Sequence, residues 1–192
     1  MSFDILAWII IAFWIGFRLL LIVAQPKVAF SLAAIVAFFS LVLPSIMPLM
    51  VAILAPFGFL LPALALRDIT GRMWVEIPPF QTPDVVVVLI ASTLFIAASI
   101  GVFPVDPYRL GYSPEVPAIV SLASIFWALW RQQYFILGSV LVAQLIWSLG
   151  YWSPNFFDLI LHAILAPICA IWLIERILAR VSRDLRPVDQ GL

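Results

Sequence analysis

Residues 28–66 read VAFSLAAIVAFFSLVLPSIMPLMVAILAPFGFLLPALAL, without one charged side chain. A helix crossing a hydrocarbon core of ~30 Å needs about 20 apolar residues. The run is too long for one crossing and suits two short ones. Pro44-Ser45-Ile46-Met47-Pro48 supplies the punctuation, because proline lacks an amide donor and drives its predecessor out of helical geometry. The stretch divides into spans at 28–43 and 49–66, joined outside at Pro44–Pro48, with kinks expected at Pro56 and Pro62.

The same rule extends in both directions. Residues 5–24 (ILAWIIIAFWIGFRLLLIVA) form a first span closed by Gln25-Pro26-Lys27. Asp4 precedes this run and the first basic residue, Arg18, lies inside it, unlike the basic start of a cleaved signal peptide, so it reads as a retained span. Residues 67–84 (RDITGRMWVEIPPFQTPD), with Arg67, Arg72, Glu76, Asp84 and three prolines, read as a loop. Further spans follow at 85–103, 117–130, 134–150 and 156–174. They are separated by the polar loop 104–116, by Arg131-Gln132-Gln133 and by a turn at 151–155. A polar tail, 175–192, carries four arginines.

Composition agrees. Of 192 residues 65% are hydrophobic and 10% charged, against roughly 45–50% and 25% in soluble domains. A soluble fold of this length could not hide so much apolar surface behind so few charges. A soluble enzyme, a disordered regulator and a disulfide scaffold are all excluded. Lys+Arg and Asp+Glu are both 10, so no basic field draws nucleic acid. Cys169 is the sole cysteine and His162 the sole histidine, which removes cysteine clusters and multi-histidine sites. The fold class is all-α: one polytopic transmembrane helical bundle of about seven spans, with no internal repeat.

Orientation follows from the Lys/Arg bias. With Arg176, Arg180, Arg183 and Arg186 in the cytoplasm, seven spans also put Arg131, Arg67, Arg72, Lys27 and Arg18 on that side. Arg109 alone falls outside. The N-terminus is then expected outside, the C-terminus in the cytoplasm, and the protein in the cell (inner) membrane. Tryptophans near span ends fit interfacial anchors.

Polar residues within spans are costly and therefore informative. Arg18 lies near a span end and is expected to snorkel to the headgroups; the serines and Thr93 suit helix packing. Asp158 and His162 stand at i and i+4 on the last span, as do Gln144 and Ser148 on the preceding one. In an antiparallel hairpin centred on Ser153, Ser148 comes level with Asp158 and Gln144 with His162. The ladder Gln144, Ser148, Asp158, His162 is thus a candidate polar cluster, with His162 ~10 Å below the outer surface. Pro167 is expected to free the carbonyl of Ala163 beside it. Asp106, Tyr108 and Arg109 of the outer loop are candidate contacts, able to cover the cluster and supply a counter-charge.

The ladder admits a structural network, a ligand or proton site in which His162 titrates near neutrality, or a metal site. Two ligands do not close a metal site, so neither metal nor cofactor is expected. No Gly-x-Ser-x-Gly elbow, His-Glu-x-x-His pair or phosphate-cradling loop is present, and no residue is assigned as catalytic. An enzyme would have to work inside the bilayer with Asp158, His162 and Arg109. The expected function is a non-catalytic subunit, scaffold or assembly factor of a larger membrane complex. Its partners are the lipid bilayer and other membrane subunits. The alternative is a small-solute or proton-coupled transporter or channel.

Overall fold

The computed structural model describes residues 3–42, 58–78, 80–104 and 106–184. It is all-helical, with no strand among the described residues. The α-helices are α1 (Phe3–Leu20), α2 (Pro26–Val42), α3 (Leu60–Met73), α4 (Thr82–Ser99), α5 (Glu115–Trp130), α6 (Tyr134–Ser148), α7 (Phe156–Ile160) and α8 (Leu165–Asp184); a 3₁₀ turn occupies Pro107–Tyr112. By length and composition, Phe3–Leu20, Thr82–Ser99 and the stretch Phe156–Ser182 could each cross a membrane. Helices Pro26–Val42, Glu115–Trp130 and Tyr134–Ser148 are shorter and apolar. Such helices are compatible with an integral membrane protein.

The chain forms two compact units. The first takes Met1–Pro78 and Asp106–His162, the second Pro79–Val105 and Ala163–Leu192. In the first unit the short connection after Leu20 makes α1 and α2 neighbours. Their seam is built of small residues: Ala29, Ala33 and Ala37 are buried at successive i, i+4 positions, and Gly16 packs on Ala33. Small side chains let helix backbones approach closely where burying oil in oil drives nothing. Phe13 and Phe17 of α1 also meet Phe30 of α2 edge-on, whereas Phe38 and Phe39 of α2 and Phe126 and Trp130 of α5 are all more than half exposed. Leu61, Ala65 and Ile69 form the buried stripe of α3, which packs on α1.

Helices α4, α5 and α6 end alike. Gly101, Gln132 and Gly150 adopt positive φ, and the next amide bonds the carbonyl five residues back: Val102 to Ala97, Gln133 to Ala128, Tyr151 to Ile146. This motif satisfies terminal carbonyls and favours glycine at the left-handed position. In the second unit α4 packs on α8. Phe80 and Trp172 lie 5.9 Å apart, and the Arg176 guanidinium donates to the Phe80 carbonyl and, at 3.4 Å, to Thr82 Oγ1.

Several expectations are corrected. Residues 67–73 are not loop but the end of α3, where Asp68 and Arg72 pair at i, i+4 across 3.1 Å. Pro62 lies in the first turn of α3, where a missing amide costs no intrahelical bond, so it forces no kink. The turn at Pro44–Pro48, Pro56 and the first half of the 49–66 span lie outside the described residues. The 156–174 span is not one helix: its backbone breaks at 161–164 between α7 and α8. Pro167 stands in the first turn of α8, so it accompanies a new helix start instead of bending a continuous helix at Ala163. Helix α8 also runs on through the first ten residues of the expected tail.

Candidate functional site

The densest polar constellation surrounds α7. Asn155 caps this helix: it is fully buried, its Oδ1 accepts from the Phe157 amide at 2.9 Å, and its Nδ2 donates to the Tyr108 carbonyl at 2.9 Å. An Asx side chain at this position satisfies one of the amide donors that every helix start leaves open. Ser153 works in both directions, accepting from the Asn155 amide at 3.1 Å and donating to Asp158 Oδ2 at 2.5 Å. The second carboxylate oxygen, Oδ1, accepts from the Tyr108 hydroxyl at 2.8 Å. Asp158 is therefore held at both oxygens by neutral hydroxyls from two segments.

The 3₁₀ turn that carries Tyr108 is itself capped by Asp106, whose Oδ1 accepts from the Tyr108 amide at 3.0 Å. Gly111 makes the close approach possible, since a Cβ there would lie 2.0 Å from Asn155 Oδ1 and 2.7 Å from the Phe157 ring. Burial, then the hydrogen bond to Asp158 and its negative charge, push the Tyr108 phenol far above its ordinary range. From the other side, Gly58 (φ +59°) brings its backbone against the Asp158 carbonyl. The Phe59 amide, at the N-cap of α3, donates to the Leu159 carbonyl at 2.9 Å. One helix's open carbonyl thus satisfies another helix's open amide.

The ladder is not assembled as expected. Gln144 Oε1 accepts from Ser121 Oγ of α5 at 2.7 Å, and Ser148 returns its proton to the Leu145 carbonyl of its own helix. Asp158 faces Ser153 and Tyr108. His162 lies in the break after α7, so the i, i+4 relation that should put it on the face of Asp158 does not exist. Arg109 is exposed and makes no described side-chain contact; the loop brings Asp158 a hydroxyl instead of a counter-charge.

A second network holds α1 to α3. Trp14 Nε1 donates to Asp68 Oδ2 at 2.8 Å, Arg18 Nε stands 3.8 Å from the same oxygen, and Arg72 Nε donates to Oδ1 at 3.1 Å. Arg18 is thereby drawn to a carboxylate, where snorkelling to headgroups was expected. Ser121, Ser153, Asn155, Gly111, Trp14 and Asp68 were not singled out as site residues. Asn155 two positions ahead of Phe157-Asp158 carries a readable cap signal; the long-range partners carry none.

Chemically, the α7 cluster is a carboxylate with fixed orientation, able to hold a proton or fasten a loop. Among the described residues no group of three or more His, Cys, Asp or Glu could hold a metal ion. No family model, curated protein or solved structure matches the chain.

Proposed function

We propose that the chain is a multi-pass protein of the inner membrane that acts without catalysis, as a subunit, scaffold or assembly factor of a larger membrane complex. One observation carries this. Described polar groups that a carrier would turn towards a pathway fasten helices instead: Ser121 to Gln144, Trp14 and Arg72 to Asp68, Tyr108 and Ser153 to Asp158. Phe38 and Phe39 of α2 and Phe126 and Trp130 of α5 stay outward, free for lipid tails and neighbouring helices. Gentle detergent extraction followed by native mass spectrometry tests it. Stoichiometric association with other membrane proteins is expected; a lone monomer or homo-oligomer overturns it.

A second reading, a small-solute or proton-coupled carrier, is favoured by the interrupted stretch at 161–164. Broken helices beside ionisable groups are a feature of transporter sites. Uptake or proton flux in proteoliposomes, lost in Asp158→Asn, would select it.

A further inference from the structure

We propose that the corner formed by the end of α3 and the start of α2 binds the phosphate of an anionic phospholipid headgroup. The inference rests on the membrane placement proposed above and on neither choice between scaffold and carrier. Helix α1 has 18 residues, ~27 Å at the helical rise, so a span made of it brings its last turn, with Arg18, to the level of the headgroups.

The Asp68 network then becomes a mount. Trp14 and Arg18 fix the carboxylate from α1, and the carboxylate fixes Arg72 through Nε alone. Among the described residues Arg72 has no other side-chain partner. A guanidinium engaged at Nε keeps the edge bearing its two terminal nitrogens open, the geometry that grips phosphate oxygens in a bidentate fork. The Arg72 side chain is 41% exposed against 14% for Asp68, so the carboxylate sits inside and the open edge outside.

Two neighbours complete the corner. Trp74, just past the end of α3, is 64% exposed, and its ring meets Phe30 of α2 edge-on at 5.4 Å. Indoles favour the headgroup layer. Lys27 lies one turn before Phe30, is exposed, and its ammonium has no partner among the described residues. Arg18, Lys27 and Arg72 outnumber Asp68 and Glu76 around this end of α3, which leaves a surplus of positive charge to meet the negative charge of an anionic lipid. A zwitterionic headgroup would meet the same phosphate-binding edge with its ammonium facing Lys27, so the corner discriminates by net charge.

The full chain is first tested for retention in membranes washed with alkaline carbonate; release would overturn both the membrane placement and this site. Retained protein, purified in mild detergent, is then given phosphatidylglycerol, phosphatidylcholine or inorganic phosphate, and bound lipid is counted by native mass spectrometry. Phosphatidylglycerol should be kept over phosphatidylcholine by roughly tenfold, on the scale of ~1 kcal/mol per basic side chain near the surface. Arg72→Gln should abolish the preference, Arg72→Lys should keep only part of it, and Arg180→Gln should leave it intact. Lys27→Gln, which removes no contact within the protein, should lower the preference about fivefold even if Arg72→Gln fails to fold. Equal retention of the two lipids, an unchanged preference in Lys27→Gln, or inorganic phosphate competing at equal concentration would overturn the lipid site.

Discussion

Tyr108 and Asp158, fifty residues apart, are joined by a hydrogen bond of 2.8 Å from phenol to carboxylate. The same carboxylate reaches back to Ser153, so one acidic side chain ties a surface turn to the start of a helix. Tyr108→Phe keeps the ring and removes the donor. A part-buried charged acceptor that loses one of two partners should cost about 1–2 kcal/mol in thermal unfolding, with Ser153 retaining the other oxygen.

The raised phenol pKa gives a pH test. Because the folded value lies above the unfolded one, the contribution of Tyr108 is complete below the ordinary tyrosine value of ~10 and is lost as pH rises beyond it. Through Tyr108, stability should therefore be independent of pH around neutrality and fall in the alkaline range. Absorbance titration at the phenolate band should show a last, delayed step that disappears in Tyr108→Phe; a wild-type curve with all four tyrosines ionising together contradicts the geometry.

Gly111→Ala and Gly138→Ala should move stability in opposite directions. A Cβ at Gly111 collides with Asn155 and Phe157, while at Gly138 it meets nothing within 4 Å. The first should destabilise by ~2 kcal/mol or more through displacement of the buried cap. The second should stabilise by about 0.5–1 kcal/mol, the helix-interior advantage of alanine. Melting temperatures in one detergent compare them directly.

Ser121 and Gln144 should prove coupled. Single alanine variants and the double variant, compared by unfolding, should give an interaction of ~0.6 kcal/mol, the usual size for interhelical bonds of this type. Additive single effects would dissolve the pair.

The proposed orientation is checked by labelling engineered cysteines at Ser2 and Gln190 from either side of the membrane. Ser2 should react from outside and Gln190 from the cytoplasm, following the nine-to-one distribution of basic residues; both ends on one side would refute the seven-span arrangement.

Long apolar runs made α1, α4 and α5 legible within a few residues, because length and hydropathy alone identify such helices. The end of α3 was missed for the opposite reason. Its charges suggested a loop, although Asp68 and Arg72 stand at the i, i+4 spacing that supports a helix. Level-matching of Gln144 with His162 assumed one straight helix through 156–174, and the break at 161–164 removes that premise. Asp106, Tyr108 and Asp158 were all marked as candidates, yet no local spacing could announce that the phenol rather than Arg109 would meet the carboxylate. That contact depends on Gly111 admitting Asn155, a close approach visible only in three dimensions.

The bond from the Phe59 amide to the Leu159 carbonyl carries a consequence for biosynthesis. Phe59 leaves the ribosome one hundred residues before its acceptor does, so the N-cap of α3 must wait, open to water or to a surrogate, while most of the chain is made. Sealing that end is an event of late translation. A nascent chain arrested after Gly150 should exchange its Phe59 amide with solvent, and one arrested beyond His162 with its α7 free of the tunnel should protect it.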